Sequence, residues 1–297
     1  MQSASRHRLA LALLFITPAL WSVNSLVARM APGIIEPHLL AMSRWLVASL
    51  LFAATTRAEI WAHRGQVLAE WKHYLVLGAL GMWICGAWVY IGGRSTSAAN
   101  IGLIYSISPV LIVLASALWL GERLRAHQAL GVILALTGVL HVVLRGQWDA
   151  LGSVRFVPGD GWILAATLSW TLYALLLKKW SSPLGAGARL AVISLAGALV
   201  NLPFALWEIA HSPTPAFTFE GGALVLVAAV IPGFGAYLAH SVMQRELGAA
   251  RVSVVLYLAP IYTAAMAWLV LGEGLSGFHL WGLALVLPGI FLVTRSR

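Results

Sequence analysis

Apolar residues run along this chain in blocks of about twenty, each closed by charged residues, glycine or proline, and that is the length a helix needs to cross a bilayer. The blocks lie near residues 9 to 30, 38 to 56, 73 to 92, 98 to 120, 127 to 145, 160 to 180, 187 to 207, 221 to 241, 250 to 271 and 277 to 295. None shows the strict alternation of a barrel strand, and a backbone in lipid must pair its own amides, so each block is predicted to be a helix. The expected fold class is an all-α polytopic membrane protein with ten transmembrane helices.

The pattern repeats. Pro109 sits inside the fourth block, which ends on Gly121-Glu122, and Pro260 sits inside the ninth, which ends on Gly272-Glu273 with the same spacing. An ungapped alignment of Asn100 to Gly146 with Arg251 to Arg297 also matches Gly131 with Gly282 and Gly138 with Gly289. Matched leucines are cheap in such sequences, whereas matched proline, glycine and glutamate are not. Trp21-x-x-Asn24 in the first block corresponds to Trp170-x-x-Tyr173 in the sixth, and Arg44 to Arg189. The chain therefore divides into five-helix repeats over 1–149 and 150–297.

Charge sets the orientation. With a cytoplasmic N-terminus, fourteen Lys and Arg fall at inward ends and four at outward ends, with Arg44 inside a block. By the positive-inside rule both termini face the cytoplasm. Five helices per repeat then make the repeats inverted, an arrangement found in alternating-access transporters. Arg6-His7-Arg8 ahead of the first block looks like the start of a signal peptide, but the block's length and its Trp21 and Asn24 favour a retained first span.

Composition agrees: 60% of the residues are hydrophobic, 10% are charged, and the mean hydropathy is +0.86, more apolar surface than a soluble core of this size hides. The net charge of +9 is spread singly at block ends and forms no stripe for nucleic acid. One cysteine, Cys85, permits no disulfide within the chain. No metal-ligand, nucleotide-binding or hydrolase motif is present, and all ten Asp and Glu lie at block ends or in loops, so no catalytic residue, cofactor or metal is expected.

Candidate site residues follow from helical spacing. Pro109 removes the amide that would bond the Tyr105 carbonyl, and Pro260 does the same to Leu256; both are expected hinges, with the freed carbonyls open to a substrate ammonium. Trp21 and Asn24 share a face, as do Trp170 and Tyr173, while Tyr105 and Ser108 precede one proline and Tyr257 the other. These seven residues are expected to line a substrate pocket. Arg44 joins them as the one strong charge within a block, where function is the default reading. His141 and His240 are titratable within blocks. Glu122 and Glu273 are read as helix-end structural residues that stabilise the first turn of the following helix.

Leu20-Trp21-Ser22, Arg44 in the second block, Pro109 in the fourth, Leu120-Gly-Glu-Arg-Leu124, Gly131, and the second copy Leu271-Gly272-Glu273 with Gly282 resemble the EamA-type ten-helix transporters of the drug/metabolite transporter superfamily. The resemblance covers the whole chain. It implies an inner-membrane, multi-pass exporter of amino acids or related small metabolites, with a central cavity lined by spans one, three, four, six, eight and nine. Unlike the small multidrug-resistance relatives, the first block lacks a glutamate, so that residue's proton-coupling role does not carry over. The expected partners are the lipid bilayer and a small organic solute, with no nucleic acid and with a homodimer left open. Competing readings are a sugar-phosphate or nucleotide-sugar antiporter, broad drug efflux, and a non-transporting receptor or scaffold.

Overall fold

The computed structural model describes residues 2–120, 125–148, 157–247 and 254–294, with the side chains of 2–6, 116, 119–120, 244–245, 254, 256–257 and 294 left aside. Glu122 and the side chain of Tyr257 lie outside the described residues. The described chain is nearly all helix. Spans one to three are Gln2–Met30, Pro37–Ala62 and Trp71–Gly93, with a short helix, Arg64–Ala69, between the last two. The fourth span consists of Ala98–Tyr105 and Ser108–Leu120, and the fifth is Ala126–Val143. Spans six and seven are Pro158–Lys179 and Ala186–His211. The eighth comprises Phe219–Ala228, Ala229–Gly235 and Ala236–Leu247; the ninth is Val254–Leu271 and the tenth Gly277–Thr294. Among the described residues eight helices are long and apolar enough to cross a membrane, and the last two spans contribute the shorter apolar helices Leu258–Leu271 and Gly277–Val293. This is a ten-helix membrane fold.

Helix starts are set by local chemistry. Proline occupies the first turn of spans two and six, where its missing amide costs nothing. The hydroxyls of Ser97 and Thr218 accept from Asn100 N and Gly221 N to cap the fourth and eighth spans. Two carboxylates at span ends are nonetheless interior: Asp160 is 1% exposed and Glu208 7%. Glu208, from the end of span seven, takes the His38 and Leu39 amides and so caps span two. Asp160 sits in the first turn of span six and accepts from Thr96 Oγ1 and Asn100 Nδ2. Their positions at span ends are legible in the sequence; their burial arises because neighbouring helix ends fold over them.

The most extensive packing partners interchange when span numbers are shifted by five. Span one packs on eight and nine, and span six packs on three and four; the pairs two–seven, five–ten and four–nine map onto themselves. The glycines matched in the sequence meet across spans five and ten. A Cβ on Gly131 would stand 2.6 Å from the Gly289 carbonyl oxygen, and one on Gly138 3.1 Å from that of Gly282. Only hydrogen at these positions lets the backbones approach so closely.

The two prolines behave differently. The fourth span is interrupted at Ser106-Ile107, just ahead of Pro109, whereas the ninth runs as one helix through Pro260. Spans three and eight carry wide π-helical turns at Ala79–Ile84 and Ala229–Gly235, a matched pair of irregularities of a kind enriched at functional sites.

Candidate solute-binding cavity

Spans one, eight and nine form one packed group and spans three, four and six another. Between them lies a cavity of about 310 Å³, within the size range of small-molecule sites. Its wall draws on spans one, two, three, four, six, eight and nine, so seven helices contribute where six were expected from the resemblance, the addition being span two through Arg44 and Trp45. Trp21, Trp45, Tyr105, Trp170 and Tyr237 give it aromatic faces, and Arg44 is the one charged lining residue among those described.

Arg44 is 5% exposed. Its Nη1 donates to Asn24 Oδ1 at 2.6 Å and to Tyr90 Oη at 2.8 Å, and Tyr90 in turn donates to Asn24 at 2.9 Å. The guanidinium carbon lies 4.4 Å from the Trp45 ring centroid, a cation–π contact. Its Nε has no hydrogen-bond partner, and among the described residues no carboxylate forms a salt bridge with it. The cavity wall therefore carries a positive charge that no described carboxylate pairs.

Of the sequence-expected pocket residues, Trp21, Asn24, Arg44, Tyr105, Ser108 and Trp170 line the cavity, together with Pro109. Tyr173 does not: it is 2% exposed, stacks on Trp170 at 4.9 Å and fills the space beside Gly81. Helical spacing correctly places the two rings side by side, but the gap left by Gly81 draws the second one behind the wall. Ala259, rather than Pro260 itself, faces the cavity. The Tyr105 carbonyl freed by Pro109 is not vacant, because Ser108 Oγ donates to it at 2.5 Å. His240 packs its ring on Trp21 and His141 accepts from Trp148 Nε1, and neither lines the cavity. Sequence reasoning passed over Tyr90, Trp45, Cys85 and Tyr237. The matched π-helical turns could have pointed to Gly81, Cys85 and Tyr237, but propensity patterns do not reveal such turns.

At one end of the cavity the two groups are tied together. Glu273 Oε1 pairs with Arg29 Nε at 2.8 Å and Oε2 accepts from Ala98 N at 2.9 Å, while Arg29 Nη1 donates to the Gly93 carbonyl at 2.7 Å. Glu273 thus caps the fourth span, where the sequence suggested the tenth; the turn after Gly272, at φ +66°, swings its side chain towards span four. Glu36 pairs with Arg94 and accepts from Ser212 and Thr214. Burial pushes the Glu36 carboxyl up, but those hydroxyls and the arginine outweigh it and hold it below the usual carboxylate range. Spans one and three touch at Ala28 and Gly93, and spans four and nine at Gly102 and Thr263. The counterpart packing of span six on eight and nine is slight among the described residues. The groups are therefore tied at the Glu273 end, and among the described residues they make little contact towards the other. Glu273→Gln is expected to cost on the order of 1–2 kcal/mol, since it removes a partly exposed ion pair and weakens a cap. Thermal melting in detergent reads this as a drop of several degrees; an unchanged midpoint contradicts the latch.

Ten spanning helices around a central cavity place the chain among the polytopic membrane proteins that carry solutes. It belongs to the EamA-like transporter family, whose profile matches residues 8–144 and again 157–295. It is similar to an uncharacterized transporter of Archaeoglobus fulgidus, 26% identical and covering 96% of this chain and 97% of that protein, and to one of Pseudomonas aeruginosa, 32% identical over 81% and 78%. A probable terminal-alkyne amino-acid exporter of Streptantibioticus cattleyicolor is 26% identical over 86% of this chain and 83% of its own. A solved crystal structure shares the fold, with a TM-score of 0.63 at 23% identity over 96% of this chain and 98% of that one.

Proposed function

We propose that the protein exports amino acids or related small metabolites across the cytoplasmic membrane, with both termini in the cytoplasm. Two inverted five-helix repeats, 1–149 and 150–297, alternate access to the cavity between them, with Pro109 and Pro260 as the flexible points of the two cavity-lining spans. The observation that carries this reading is a cavity lined by both halves, with the two groups tied at the Glu273 end. The interchange of packing partners on a shift of five spans supports the inversion, and the similarity to a probable amino-acid exporter supports the solute class. A phosphate-bearing solute is less well served, since one arginine lines the cavity and phosphate sites gather several cations.

The test is a panel of labelled amino acids and small metabolites offered to proteoliposomes, with and without a pH gradient. Movement of at least one of them is expected, and no movement with folded protein sinks the reading. Once a solute is found, Trp170→Ala and Tyr105→Ala should each raise KM roughly five- to tenfold, the worth of a lost aromatic contact of about 1–1.5 kcal/mol. If both leave KM and rate unchanged, the pocket assignment is wrong.

A further inference from the structure

We infer that the cavity selects its solute by a carboxylate alone, so that organic monocarboxylates with a flat apolar body are substrates whether or not they carry an amine. The inference deepens the transport reading and rests on it for its physiological meaning.

A guanidinium withdrawn from water is costly unless charge and hydrogen bonds replace the lost hydration. Arg44 has the hydrogen bonds in part, from Asn24 and Tyr90, and a ring face from Trp45. Among the described residues it has no counter-charge. An entering carboxylate supplies one, and arginine is the side chain best shaped to hold it.

An ammonium group meets the opposite situation. Neither Asp nor Glu is among the lining residues. Asp160 and Glu273 are occupied at the closed end with Thr96, Asn100, Arg29 and Ala98. Three carbonyls near the cavity already accept from hydroxyls: Tyr105 O from Ser108, Leu103 O from Ser106 at 2.6 Å, and Ala259 O from Thr263 at 3.0 Å. A solute cation would also stand beside Arg44 in a site of low dielectric, where like charges repel strongly. The wall also carries the rings of Trp21, Tyr105, Trp170 and Tyr237, surfaces on which a planar body stacks.

The experiment compares 3-phenylpropionate, phenylalanine and phenethylamine as ligands of the purified full-length protein in detergent at neutral pH, read by quenching of tryptophan fluorescence. It needs no transport, so its failure and that of the transport reading are separable. The expected result is saturable binding of 3-phenylpropionate, phenylalanine within a few-fold of it, and phenethylamine at least tenfold weaker. Arg44→Gln should weaken 3-phenylpropionate at least tenfold and phenethylamine not at all, with Arg44→Lys recovering part of the loss. The wild-type comparison stands even if a variant fails to fold. Phenethylamine binding as tightly as the acid overturns the inference, as does binding of phenylalanine without binding of 3-phenylpropionate. So does acid binding that a folded Arg44→Gln leaves unchanged, or the absence of saturable binding by the acid up to millimolar concentration.

Discussion

Gly93→Val abolishes most transport while the protein still folds: this is the expected result at the contact between spans one and three. A Cβ on Gly93 would run into the Ala28 carbonyl group. That obstacle is backbone inside a helix and has no rotamer to give. Overpacking of this kind costs about 1–3 kcal/mol or more. If access alternates as proposed, the cost falls on the state in which the Glu273 end is closed, where Ala28 and Gly93 meet, and not on a state open at that end. A bias of 3 kcal/mol between two states of a carrier depletes one of them by roughly a hundredfold. Uptake in proteoliposomes should therefore fall by one to two orders of magnitude, with protein yield and helical content retained. Wild-type rates in Gly93→Val would mean that this contact does not open during the cycle.

Arg44→Gln carries the second large effect. A hydrogen bond to a charged group is worth about 1.5–3 kcal/mol, which on a bound carboxylate corresponds to roughly ten- to a hundredfold in affinity. Uptake at a solute concentration below KM should fall by the same factor. Glutamine keeps a polar group beside Asn24 and Tyr90 and introduces no buried charge, so thermal stability in detergent should not fall in proportion. Loss of transport accompanied by collapse of the fold would instead make Arg44 a packing residue whose charge is incidental.

Much of this was readable in the sequence, for physical reasons. Spanning helices announce themselves because lipid demands long uninterrupted apolar runs. The glycines repeated at 131, 138, 282 and 289 mark positions where spans five and ten approach to backbone contact. Trp21, Asn24, Tyr105, Ser108 and Trp170 border one cavity, as helical spacing and the place of Pro109 suggested, since residues three or four apart share a helix face and the irregular turn before Pro109 faces the cavity. What was hidden depends on neighbours distant in the chain. Tyr173 is drawn behind Gly81 of another span, Asp160 is buried by the turn at Thr96, and Glu273 reaches the fourth span rather than the tenth. The π-helical turns of spans three and eight shift the register that helical spacing assumes, and this concealed Cys85 and Tyr237.

Whether the cavity opens to one side at a time can be read directly from the chain's single cysteine, since Cys85 lines the cavity. The measurement is labelling of Cys85 by a membrane-impermeant thiol reagent, applied separately to each face of sealed vesicles containing the wild type or Gly93→Val. Wild-type Cys85 should be labelled mainly from the face opposite Glu273, and Gly93→Val should shift labelling to the Glu273 face. Equal labelling from both faces, or a wild-type pattern unchanged by Gly93→Val, would contradict alternating access.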